Sequence, residues 1–170
     1  MKVKIKKSNP NAVIPSYAKP GDAGLDLTAI SAYYDEEEDC IVYNTGLQIE
    51  IPEGYVGLLY PRSSIADRDI LLSNSVGVID SGYRGDIKLK FALTPSYTSC
   101  DVDLVNECLY SEYAELPFKD GDENSYVYAY SVGERVAQLI IMPIPTIELE
   151  ESKELSNTER GAGGYGSSGK

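Results

Sequence analysis

NSVGVIDSGYRGDI, residues 74–87, is the stretch on which the reading of this chain turns. Val76, Val78 and Ile79 form a short β-branched run, Ser81 and Gly82 mark a turn, and Ile87, Leu89 and Phe91 then alternate with Lys88 and Lys90. The pattern predicts a β-hairpin with the acid Asp80 at its bend and Tyr83 and Arg84 beside it. Gly77, Gly82 and Gly85 carry no Cβ, so a ligand or a second backbone can come close. Asp, Ser and Gly are also what any tight turn uses. The segment alone therefore leaves two readings, a plain turn or a carboxylate set beside a ring to act on a bound aromatic or sugar.

The flanking sequence continues in strands. VKIKK at 3–7 alternates as an edge strand does, its lysines discouraging edge-to-edge aggregation. PGDAGLDLTAI at 20–30 puts a turn before Leu25, Leu27 and Ala29, which leaves Asp26 and Thr28 on the other face. Asp26 is then either a solvent-facing acid or one that holds a hydrated metal beside a Gly-rich turn. The run DEEED at 35–39 reads as a solvated loop, and residues 40–51 and 55–60 carry on the strand, turn, strand rhythm.

PRSSIADRD at 61–69 breaks that rhythm. Pro61 ends a strand, and Ser63 or Ser64 is placed to cap a short helix whose N–H groups would face anions beside Arg62. An ordinary cap with a surface arginine fits as well. Residues 95–125 are acidic and rich in tyrosine, and Leu104, Val105, Cys108, Leu109 and Leu116 fit a helical stripe, so an inserted helix or a long excursion is expected there. Strands resume at 126–132 and 132–144, where Gln138 is the polar exception in an apolar run, either hydrogen-bonded filler or an amide that reads a ligand. RGAGGYGSSGK at 160–170 has the composition of a flexible tail, though Gly-rich backbone bearing Arg and Ser also wraps phosphates and Tyr165 can stack on a base.

Composition narrows the chemistry. The chain has 170 residues, 42% of them apolar, which suits one domain with a real core. Its net charge, 15 − 27 = −12, opposes sequence-independent binding to nucleic acid or to an anionic membrane. There is no histidine, so acid–base work falls to Asp, Glu, Tyr or Lys. Three cysteines without a CxxC pair point to a reducing compartment, and no run of about 18 apolar residues is present to span a bilayer. A soluble protein of the cytoplasm is expected.

Five segments now stand in order: AGLDL at 23–27, PRSS at 61–64, GVIDSGYRG at 77–85, GERVAQL at 133–139 and RGAGGYGSSG at 160–169. Together they closely resemble the five motifs of the trimeric dUTP diphosphatases (dUTPases), from residue 20 to the end apart from about 95–131. That region resembles the extra insert of some phage enzymes.

The resemblance implies an all-β, jelly-roll-like distorted β-barrel with one short helix over residues 1–159, and a Gly-rich tail, 160–170, that closes the active site. It implies a homotrimer with shared active sites, hydrolysis of dUTP to dUMP and pyrophosphate, and Mg²⁺ as cofactor. It assigns Asp80 as the base that activates water, Tyr83 as the ring on deoxyribose, and Asn74, with Gly77 and Ile79 of the same pocket, as the uracil reader. Arg62, Ser63, Ser64 and Gln138 would hold phosphates, and Asp26 would meet the metal through water. From the tail, Arg160 would take the terminal phosphate and Tyr165 would cover uracil, with Gly166, Ser167 and Ser168 against the nucleotide.

Gly82 stands where many relatives have a second Asp, and Tyr165 where Phe is more usual. dCTP deaminase shares the fold and the triphosphate handling but lacks such a tail. A regulatory module that captures a protein partner through the 95–131 insert is the reading of a different class.

Overall fold

In the computed structural model, residues 1–93, 109–110, 115–117 and 126–164 are described. In chain order these are β1 (Lys4–Lys7), β2 (Leu25–Thr28), β3 (Ser31–Asp35), β4 (Cys40–Asn44), β5 (Leu47–Glu50), β6 (Tyr55–Pro61), a 3-10 helix (Ser63–Asp67), β7 (Ile70–Leu72), β8 (Gly77–Ile79), β9 (Lys88–Leu93), β10 (Glu115–Pro117), β11 (Tyr126–Tyr128) and β12 (Arg135–Pro143). The chain is all-β, as its alternation predicts. Every ladder is antiparallel: two four-stranded sheets, ordered β2-β12-β6-β8 and β3-β4-β9-β7, and two pairs, β1-β5 and β10-β11.

Pleat and burial agree strand by strand. In β9 the lysines at 88 and 90 are exposed while Leu89, Phe91 and Leu93 are buried, as a period of two requires when one face meets the core. β4 lies between β3 and β9, and Cys40, Ile41, Val42 and Tyr43 are all buried. Tyr43, Phe91 and Tyr130 pack edge-on with centroids 5.6 to 6.3 Å apart. Leu27, Ile79, Val136 and Leu139 from the other sheet join them in the same cluster.

Four expectations change. β8 and β9 are not a hairpin, because β8 pairs with β6 at the edge of one sheet and β9 pairs with β4 and β7 in the other. The segment 80–87 is therefore a crossing between sheets, tied down at its end by Ile87 N donating to Leu47 O (2.8 Å) and by Thr45 Oγ1 donating to Ile87 O (2.8 Å). The short helix is a 3-10 turn capped by the extended Arg62, with no side-chain cap bond, so neither Ser63 nor Ser64 caps it. The helical stripe of the insert also fails where it can be followed. Leu116 lies in β10 opposite Val127 of β11, whose run Tyr126–Tyr128 supplies a β-forming partner, and Leu109 is buried in a turn. Leu104, Val105 and Cys108 lie outside the described residues. The strand predicted over 126–132 ends at Tyr128, and the chain turns through Gly133 at φ 96° into β12.

Candidate active site

Two clefts collect the residues that carry chemistry. The first lies against the edge strand β8. The turn before β8 is closed by Ser75 N donating to Leu72 O (2.9 Å), and Ser75 takes φ 58°, a left-handed conformation that costs a non-glycine residue energy. After β8 the crossing segment is folded on itself. Tyr83 N donates to Asp80 O (3.1 Å), Tyr83 OH donates to Asp86 O (3.0 Å), and Arg84 Nη1 donates to the carbonyls of Ser81 and Tyr83 (both 2.7 Å). Gly85 is required there, since a Cβ would stand 2.4 Å from the Tyr83 hydroxyl. The result is a cleft of about 160 Å³ bounded by Asn74, Gly77, Ile79 and Tyr83, with Leu59, Val78 and Ile87 as apolar wall and Asp86 and Lys88 as charges. Asp80 follows Ile79 directly and is exposed. A planar, largely apolar ring with polar edges fits such a cleft, with a carboxylate next to it.

The second cleft, about 280 Å³, is bounded by Asp22, Gly24, Asp26, Arg62, Ser63 and Gln138, with Ala18 and Ala23. Register builds it: Asp26 of β2 is opposite Gln138 of β12, which is opposite Tyr60 of β6, and Arg62 and Ser63 follow β6 directly. Asp26 Oδ1 accepts from Arg62 Nε and Oδ2 from Arg135 Nη1, each at 2.9 Å, with the carboxylate largely covered. Gln138 Nε2 donates to Pro61 O (3.1 Å), so this half-buried amide has a partner and is held in place. Ser64 lines neither cleft, and its hydroxyl is 3.0 Å from that of Tyr130.

This donor set suits an oxyanion and a hydrated cation. Each Asp26 oxygen keeps a lone pair after its one guanidinium bond, as an acid that meets Mg²⁺ through water needs. No group of three or more carboxylates or thiols is available to hold a bare metal among the described residues. Mg²⁺ therefore fits here only with most of its shell made of water and substrate oxygens.

Asp80 and the Arg62–Ser63 pair lie at opposite ends of β6 within the chain. Ile79 pairs with Gly57, which sets Asp80 level with Val56 at the start of β6, whereas Arg62 and Ser63 lie beyond its end. Six residues of extended chain separate the two levels, on the order of 20 Å.

A family model described as dUTPase matches residues 10–101 and 124–169. The chain belongs to the dUTPase family. The deoxyuridine 5'-triphosphate nucleotidohydrolase of Hydrogenobaculum sp. (strain Y04AAS1) is 36% identical over 171 residues, covering 99% of this chain and 99% of the relative. Among solved structures, the chain is similar to a mutant dUTPase of Staphylococcus bacteriophage 80alpha with dUpNHpp, at 28% identity and a TM-score of 0.71, covering 99% of this chain and 98% of the other. It shares its fold with a mutant dUTPase from phage phi11 of S. aureus, described for its coordination of a structural Mg(II) ion, at 24% identity and a TM-score of 0.65, covering 91% and 98%. The chain is thus a dUTP-hydrolysing enzyme. The family match leaves out residues 102–123, inside the segment read as an insert.

The tail of this dUTPase is described as far as residue 164. Arg160 is exposed, its Nε donates to Gly163 O (2.9 Å) within its own turn, and it lines neither cleft. Tyr165, Gly166, Ser167 and Ser168 lie outside the described residues. Sequence reading missed Arg135, which shares Asp26 with Arg62, and Lys88, which enters the first cleft. Arg135 was visible within GERVAQL at 133–139, next to the chosen Gln138, but its partner is 109 residues away. No helix among the described residues is long and apolar enough to cross a membrane.

Proposed function

We propose that this dUTPase hydrolyses dUTP to dUMP and pyrophosphate in sites assembled from more than one copy of the chain. The observation that carries the reading is the distance between Asp80 and the Arg62–Ser63 pair, on the order of 20 Å along β6. Adjacent phosphoryl groups of one triphosphate are only a few ångströms apart, so the base of one copy must work beside the phosphate ligands of another. A homotrimer with shared active sites meets that demand by cyclic symmetry.

Uracil enters the cleft of Asn74, Gly77 and Ile79, and Tyr83 packs on the deoxyribose. Asp80 takes a proton from water as its oxygen bonds to the α-phosphorus, and the bond from that phosphorus to the β-bridging oxygen breaks. Arg62, Ser63, Ser64 and Gln138 hold the phosphates and neutralise the charge that moves onto pyrophosphate. Asp26 would hold a hydrated Mg²⁺ through water, and the ion when bound would supply positive charge to the triphosphate. The tail of residues 160–170 closes on the occupied site, with Tyr165 over uracil, Gly166, Ser167 and Ser168 along the nucleotide and Arg160 on the terminal phosphate. Product analysis tests the reaction: pyrophosphate and dUMP from dUTP support it, and ammonia from dCTP would replace it with a deaminase. Removing residues 160–170 tests the tail, with kcat expected to fall far more than Tm or the affinity for a non-hydrolysable analogue.

A second role for the insert rests on its seat. Asp69, two residues past the 3-10 helix, donates its backbone N–H to Tyr128 O (2.8 Å) and accepts from Tyr128 N through Oδ2 (3.0 Å). A protein partner bound at 95–131 would thus be coupled to the PRSS segment. Partner capture that persists after deletion of 95–131 would refute it.

A further inference from the structure

Tyr130 is the buried residue through which the core reaches Ser64. Its ring is only 1% exposed and is held on three sides, by Tyr43 (6.3 Å) and Phe91 (6.0 Å) edge-on and by the Arg68 guanidinium 5.0 Å from its centroid. That guanidinium is itself fixed, Nη2 donating to Glu134 Oε1 (3.1 Å), while Glu134 Oε2 accepts from Ser131 N (2.7 Å). The backbone of Tyr130 is clamped by one phenol: Tyr43 OH donates to Tyr130 O (2.6 Å) and accepts from Tyr130 N (3.1 Å). Burial pushes the Tyr43 phenol well above its ordinary range, so it stays protonated and keeps both bonds. With ring and backbone both fixed, the Tyr130 hydroxyl has one place to be, and Ser64 Oγ is 3.0 Å from it.

We propose that Tyr130 is a positioning residue for Ser64, donating its phenolic proton to Ser64 Oγ so that the single proton of the serine is aimed at a phosphate oxygen of dUTP. A serine hydroxyl has one proton and two lone pairs. If Ser64 gave that proton to Tyr130, it would show the anionic substrate a lone pair. If it accepts from the phenol, the more acidic of the two hydroxyls, its own O–H is free for the phosphate and is polarised by the bond it receives. Ser64 is not spent as a helix cap, since the 3-10 helix has no side-chain cap bond. The inference rests on the reading of Ser64 as a phosphate ligand.

The test is a cycle of Tyr130→Phe, Ser64→Ala and the double variant in the full-length oligomer, with kcat and KM for dUTP measured and Tm recorded. Tyr130→Phe keeps the ring and every backbone bond, so the protein should remain folded with Tm within a few degrees while kcat/KM falls about tenfold. The double variant should be no slower than Ser64→Ala alone, because the phenol acts only through the serine. An equal further loss in the Ser64→Ala background would overturn the proposal, as would a Tyr130→Phe enzyme with wild-type kinetics beside an impaired Ser64→Ala. Wild-type kinetics in Ser64→Ala would instead remove the phosphate role of Ser64, and this inference with it. Should Tyr130→Phe lower Tm sharply, kinetics of all four proteins taken well below the lowest Tm decide: a double variant equal to Ser64→Ala keeps the proposal, and a further loss in it refutes the proposal.

Discussion

Gly24 lies so close to Gln138 that a Cβ built on it would stand 2.3 Å from Oε1 and 3.0 Å from the Cβ of the glutamine. The contact explains why the residue just before β2 has no side chain. Gln138 cannot yield easily, because its Nε2 is bonded to Pro61 O.

Gly24→Ala should therefore push the amide out of its place in the second cleft. We expect a loss of about 1–3 kcal/mol in stability from overpacking, and a higher KM for dUTP with a smaller change in kcat. Thermal unfolding and steady-state kinetics on the same preparation check both. An unchanged KM would mean that Gln138 does not touch the triphosphate.

Asp26 joins Arg62 and Arg135 in one cluster, and its carboxylate charge is what a hydrated cation would meet. Asp26→Asn keeps the size and one acceptor but loses that charge. The Mg²⁺ concentration for half-maximal activity should rise about tenfold or more, while activity at saturating Mg²⁺ recovers in part. Titration of activity with Mg²⁺ after treatment with EDTA reads this directly. An identical Mg²⁺ response in wild type and variant would remove Asp26 from the metal site.

Part of the candidate site was legible through the motifs that carry the resemblance. Asn74, Gly77, Ile79 and Tyr83, which the resemblance assigned to the nucleotide, line one cleft, and Asp26, Arg62, Ser63 and Gln138 line another. Pairing partners were not legible. Alternation says that 88–93 is a strand, but not that it lies beside β4 and β7 instead of β8, because a period of two carries no information on the partner. Side-chain partners remote in sequence escaped for the same reason. Ser64 looked like a cap, yet its hydroxyl meets one 66 residues away, and Arg68 meets Glu134 across the same interval. Apolar spacing also misled at Leu116, which lies in a strand opposite Val127 and not in a helix.

The buried phenol of Tyr43 gives a pH dependence with a definite sign. Its folded pKa is raised, mainly by burial, above the value of about 10 in the unfolded chain, so its contribution is complete below that pH and is lost as pH rises further. Stability should fall steeply above about pH 10. Tyr43→Phe should cost about 1–3 kcal/mol at neutral pH by orphaning the N–H and C=O of Tyr130, and should flatten the alkaline fall. Denaturant unfolding at neutral and alkaline pH compares the two slopes.

Sharing of sites between copies of the chain is the central claim, and complementation between two disabled variants tests it most directly. Asp80→Asn should lose turnover by about 10²-fold or more, since an amide cannot take the proton from water. Arg62→Gln should be comparably impaired through the phosphates. Co-expressing the two chains with different tags and purifying on both tags isolates mixed oligomers. If each site of a cyclic trimer takes Asp80 from one copy and Arg62 from the next, every mixed trimer regains one intact site, so activity should return to about a third of wild type. Activity that stays at the level of the two single variants would place Asp80 and Arg62 of the same chain in one site, and would contradict the account.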